Sequence, residues 1–179
     1  VERRVARLNA VGRAWEIGLT IGHALALAVL AMCALQVAVE ATLYALWAHA
    51  GVQIPTPVSR GLHVMPAALF FVVASQIVGR ALSGLQRMDA MYAWRTTGMV
   101  VGTAATSTLA LAGVGRLDAL LLAYVSGAPV AALAQWRVLS RVLPALPGVP
   151  DGLPSPRWQA SVFRELLGFG GMLQVAVFG

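Results

Sequence analysis

The chain has 179 residues, of which 59% are hydrophobic and only 11% charged, less than half the roughly 25% usual in soluble domains. Too few charges remain to clothe a water-soluble domain of this size, so the composition excludes that class and points to a membrane. The net charge of +6 rests on thirteen arginines and no lysine, and these sit at the ends of apolar runs. A nucleic-acid binder would instead gather them on one polar face with interleaved aromatics, so that class is excluded too.

The first segment is basic, with Arg3, Arg4, Arg7 and Arg13. Between Glu16 and Glu40 lie 23 uncharged residues, about 34 Å of helix at 1.5 Å per residue, enough to cross a hydrocarbon core of about 30 Å. Apolar character resumes to Ala50 and is stopped by Pro55 and Pro57, so the first helix is predicted over about 17–50. Arg3-Arg4 is not read as an export signal, because the run that follows is too long for a signal core. The single cysteine, Cys33, lies inside this run and is read as a packing residue, so no disulfide forms within the chain.

The next apolar run, 61–79, has 19 residues and includes Pro66; it predicts a second helix over about 62–87. The third, 96–115, has 20 residues rich in Gly, Ala and Thr and predicts a helix over about 92–114. The fourth, 119–136, has 18 and predicts one over about 117–142. A stretch with five prolines, "LPALPGVPDGLPSP", reads as a linker over 144–160. A fifth apolar segment begins near Ser161 and runs to Gly179. Backbone facing lipid must satisfy its own hydrogen bonds, so each run is expected to be helical. No run shows the alternation of a barrel strand. The expected class is all-α: a polytopic membrane bundle of four complete crossing helices and the start of a fifth. The absence of an initial methionine and the apolar last segment lead us to expect a piece of a longer protein.

Eleven of the thirteen arginines fall in alternate loops: the N-terminal segment, the 80–95 loop and the 137–164 loop. The intervening loops hold only Arg60 and Arg116. The positive-inside rule puts the eleven in the cytoplasm.

No P-loop, HExxH, GxSxG or Cys/His metal spacing occurs, and the seven acidic residues are isolated from one another. No catalytic residue, metal site or cofactor is expected. His23, His49 and His63 are read as packed or interfacial. Polar residues at membrane depth are the remaining candidates. Gln76, Arg80, Ser83 and Arg87 recur at i, i+4, i+7 and i+11, one face of a helix if it continues to Met88. This stripe, with Arg95, is either a cationic lip for phosphate groups or ordinary anchoring at the headgroups. Gln36 and Glu40, followed by Tyr44, form a second stripe, either a site for a coupling cation or an end that touches water. The Gly18/Gly22 and Gly98/Gly102 pairs are read as packing only.

The run from "LSGLQRMDAMYAWRTTG" through the Gly113–Leu120 stretch "GVGRLDAL" to "RELLGFGGMLQVA" resembles the bacterial oligosaccharide flippases of polysaccharide synthesis. These belong to the multidrug/oligosaccharidyl-lipid/polysaccharide exporter superfamily. The likeness covers about 72–179; Gly171 stands where that family often has proline. It implies a fragment of a transporter of 12–14 helices. Residues 1–143 would belong to its first bundle and 161–179 would open the second. It also implies alternating-access movement of a polyprenyl-pyrophosphate-linked oligosaccharide across the bacterial cytoplasmic membrane, for cell-surface polysaccharide such as lipopolysaccharide, without enzymatic chemistry. Expected partners are that lipid-linked glycan, membrane lipid, and a polysaccharide polymerase or glycosyltransferases. A drug/cation antiporter, a peptidoglycan-precursor flippase and an unrelated membrane enzyme remain open alternatives.

Overall fold

The computed structural model describes residues 1–51, 55–146 and 164. Among these the chain is helical and holds no strand. The elements in order are α1 (Glu2–Ala10), α2 (Ala14–Ala50), α3 (Thr56–Gly84), α4 (Met88–Leu111), α5 (Leu117–Val125) and α6 (Gly127–Val142), followed by a 3-10 turn, Leu143–Ala145.

Helix α1 is an addition to the sequence reading, which saw only its charges. Val5 and Leu8, three positions apart, share one face and are buried, while Arg3 and Arg7 are exposed. It stops in a Schellman turn: Gly12 takes φ +69, its N–H donates to Asn9, and the Arg13 N–H donates to Leu8. The same turn closes α3, where Arg87 N–H reaches Leu82 and Gln86 N–H reaches Ser83. It closes α4 as well, through Gly113 and Val114. At α3 the left-handed position is held by Gln86, at φ +59, and not by glycine.

This early stop corrects the second predicted helix. It ends at Gly84 instead of near 87, so Arg87 leaves α3 and becomes the residue before α4. The predicted helix over 117–142 is broken in two. Pro129 lacks an N–H, and its ring crowds the carbonyl four residues earlier, that of Val125, where α5 ends. By contrast α3 runs unbroken through Pro66, which is buried.

The core lies at one end of the bundle. There Val5 and Leu8 of α1 meet Ile17 and Ile21 of α2, Val78 and Leu82 of α3 with Leu85 just after it, and Leu139 of α6. Away from it the large apolar side chains face outward: Val37 and Trp47 on α2, Met99 and Leu111 on α4, Leu133 on α6. A soluble fold would bury these; a lipid-facing surface exposes them.

Among the described residues three helical stretches are long and apolar enough to cross a membrane: Trp15–His49, Val58–Gly84 and Ala119–Val142, the last made of α5 and α6 together. The expected fourth, in α4, is not among them. Five threonines and a serine between Thr96 and Thr108 dilute its apolar character. Helices α4 and α6 nevertheless touch backbone to backbone. A Cβ on Gly98 would lie 2.6 Å from the Gly127 carbonyl oxygen, and one on Gly102 would collide with the Tyr124 carbonyl. One of the two GxxxG pairs therefore marks a close helix crossing. The other, Gly18/Gly22, has open space around it.

Of the linker expected over 144–160, the described part is 144–146, the last two residues of the 3-10 turn and Leu146. The rest of it, and the helix expected over 161–179, lie outside the described residues, save Arg164, which is helical and exposed.

Candidate functional site

A cavity of about 200 Å³ opens among α1, α3, α4 and α6. Helix α3 lines it with Ser75, Gln76, Gly79, Arg80 and Ser83, spacings that return to one face at each turn. Helix α4 adds Met91, Tyr92 and Arg95, again at i, i+1 and i+4. Two further polar side chains come from elements distant in sequence: Glu2 of α1 and Gln135 of α6.

Four of the five residues predicted for the cationic lip therefore meet here: Gln76, Arg80, Ser83 and Arg95. Arg87 does not, because α3 ends before it; its Nε lies 3.6 Å from Asp89 Oδ1 instead. Arg95 has no carboxylate partner among the described residues.

Arg80 and Ser83 share one. The Arg80 guanidinium donates to Glu2 Oε2 at 3.0 Å, and the Ser83 hydroxyl donates to Glu2 Oε1 at 2.8 Å. The Ser83 hydrogen bond, then that of Arg80, holds the Glu2 carboxyl below the usual carboxylate range. Glycine makes this approach possible. A Cβ at Gly84 would stand 2.7 Å from the Glu2 carbonyl oxygen and 2.9 Å from Val5 Cβ. Helix α1 is further held by Arg4, whose Nε donates to the buried Thr20 hydroxyl at 3.1 Å.

Gln135 is 2% exposed. Its Nε2 donates to the Met91 carbonyl at 3.3 Å, which fixes the orientation of the amide. Its Oε1 is buried, with no hydrogen-bond partner among the described residues. A buried acceptor left bare costs about 1–3 kcal/mol, so this atom wants an N–H or O–H that the described residues do not supply.

Sequence reasoning missed Glu2 and Gln135. Glu2 was lost among the N-terminal arginines. Gln135 carried a readable signal: it is the only amide in the 119–136 apolar run, and polar groups inside such runs are candidates by default.

The second predicted pair lies elsewhere. Gln36 Nε2 donates to Glu40 Oε1 at 2.7 Å, and the same oxygen lies 3.1 Å from His63 Nε2. The other ring nitrogen of His63 faces the Ser59 carbonyl at 2.6 Å. Both ring nitrogens thus lie beside oxygens. His63 stands 17 residues before Arg80, about 26 Å along α3 at 1.5 Å per residue, so this clasp between α2 and α3 is remote from the cavity. His23, read as packed or interfacial, is buried with Nδ1 2.7 Å from the Leu19 carbonyl. Among the described residues no three His, Cys, Asp or Glu side chains gather as a metal site would need.

The described residues thus hold a basic cavity at the arginine-rich end and a Glu–His clasp toward the other. Compared with known proteins, the chain matches no family model, and neither a curated protein nor a solved structure matches it.

Proposed function

We propose that the chain forms a helix bundle of a membrane transporter, a flippase for polyprenyl-pyrophosphate-linked oligosaccharide in the bacterial cytoplasmic membrane. The observation that carries the reading is the cavity: guanidinium groups from two helices, Arg80 of α3 and Arg95 of α4, face one space beside apolar, outward-facing helix surfaces. Arginine is suited to phosphate oxygens because its donors form a rigid fork. The sequence motifs of the resemblance, "GLQR" at the α3–α4 turn among them, support the same class.

In this reading α4 is the fourth crossing helix. Its 24 residues give about 36 Å of length. Three of its hydroxyls need no water, since Thr97, Thr106 and Thr108 donate back to carbonyls one turn earlier. The arginine bias then puts the cavity at the cytoplasmic face, where cargo is loaded, and the Glu40–His63 clasp toward the outer face, where a coupling cation could act. A drug/cation antiporter would want an acidic cavity; this one has two arginines against one glutamate.

The test replaces Arg80 and Arg95 with alanine, singly and together, in the full-length protein and follows translocation of labelled lipid-linked glycan. Each single change is expected to slow translocation and the double to abolish it at normal protein levels. Unchanged rates sink the flippase reading. Accessibility labelling of cysteines placed at Arg87 and Arg141 checks the topology, which requires both on one side.

A further inference from the structure

The carboxylate on Arg80 and Ser83 belongs to the chain itself. Its two oxygens take one hydrogen bond each, at 3.0 and 2.8 Å, the pattern any oxyanion with two free oxygens would make there. Glu2 is delivered by a nine-residue helix joined to α2 through the left-handed Gly12. Its apolar hold on the bundle is small: Val5 and Leu8, with Val1 just before the helix. Two features of the cavity are left unanswered by Glu2. Arg95 lacks a carboxylate among the described residues, and Gln135 Oε1 is buried and bare. A carboxylate cannot help the latter, because it is an acceptor facing an acceptor.

We propose that Glu2 is a resident anion, and that the cavity binds an oxyanion also carrying a hydroxyl, which displaces Glu2 and releases α1 from α3. The ligand's oxygens take over Arg80 and Ser83, its remaining charge meets Arg95, and its hydroxyl donates to Gln135 Oε1. Hydrogen phosphate has both features and charge enough for two guanidinium groups, and a phosphate monoester with sugar hydroxyls has them in greater number. Sulfate offers the charge without the proton. No covalent step is involved. The inference rests on the cavity assigned above to a transporter and not on what that transporter carries. Its readout is the position of α1, so loss of one reading leaves the other standing.

The experiment places spin labels at exposed sites outside the cavity, Ala6→Cys on α1 and Ser140→Cys on α6, in a Cys33→Ser background of the full-length protein. In neutral detergent, inorganic phosphate is expected to shift the distance distribution to a longer population, while sulfate and sodium chloride at equal ionic strength leave it in place. Glu2→Gln removes the charged competitor and is expected to lower the phosphate needed by roughly tenfold. Arg80→Ala is expected to remove the phosphate response. Nanodiscs of phosphatidylcholine with or without phosphatidylglycerol, free of added phosphate, separate the sources. A shift only with phosphatidylglycerol assigns the oxyanion to a lipid headgroup, and a shift with free phosphate assigns it to a soluble ester. No shift in any arm, or an equal shift with sodium chloride, overturns the proposal. An equal shift with sulfate overturns the role given to Gln135.

Discussion

The Ser83 hydroxyl donates to the Glu2 carboxylate at 2.8 Å, joining residues 81 positions apart. With Arg80 it holds that carboxyl below its ordinary value of 4.5. A carboxyl lowered on docking stabilises the docked form above its undocked value, and that contribution is lost as pH falls through the lowered one. Attachment of α1 is therefore expected to be level at neutral pH and to weaken progressively below about pH 4.5. Hydrogen exchange at the α1 amides, measured against pH, checks this. Glu2→Gln should remove the acid dependence while leaving the α3 amides protected.

Gly84 is expected to tolerate no side chain while α1 is docked. Alanine there meets the Glu2 carbonyl at 2.7 Å, a backbone atom that cannot swing aside. Gly84→Ala should free α1 to protease within the first twelve residues and leave the cavity helices folded. Limited proteolysis with mass mapping reads both.

The two GxxxG pairs should behave oppositely. Gly98→Ala puts a methyl 2.6 Å from the Gly127 carbonyl and is expected to cost about 1–3 kcal/mol through overpacking. Gly18→Ala finds nothing within 4 Å and is expected to be neutral or to stabilise by up to about 1 kcal/mol, since alanine loses less backbone entropy in a helix. Thermal unfolding in detergent compares them.

At the turn after α3, Gln86 sits at φ +59, which strains a residue with a Cβ by about 1–2 kcal/mol. Gln86→Gly should recover about half of that after its own entropy cost. Gly113→Ala, at φ +79 in the equivalent turn after α4, should lose about 1 kcal/mol. The same unfolding assay reads both.

Long apolar runs were legible because hydrocarbon admits little besides helix. Helix ends were less so. Glycine announces a left-handed stop after α1 and α4, but nothing in glutamine announces one after α3, so the predicted stripe ran one turn too far and took in Arg87. Pro129 did carry a signal for the break at Val125, which run length alone overlooked. At the site, spacing grouped Gln76, Arg80 and Ser83 because they share one helix. It could not supply Glu2 or Gln135, which reach the cavity only through tertiary packing.

The break between α5 and α6 has a mechanical corollary. Gly127, just past Ser126, has its backbone against Gly98, and Gly98 is less than one turn beyond Arg95. With no side chain between them to absorb slack, the two helices share a fulcrum. Any flexing at the break levers α4, and the guanidinium on the cavity wall swings with it.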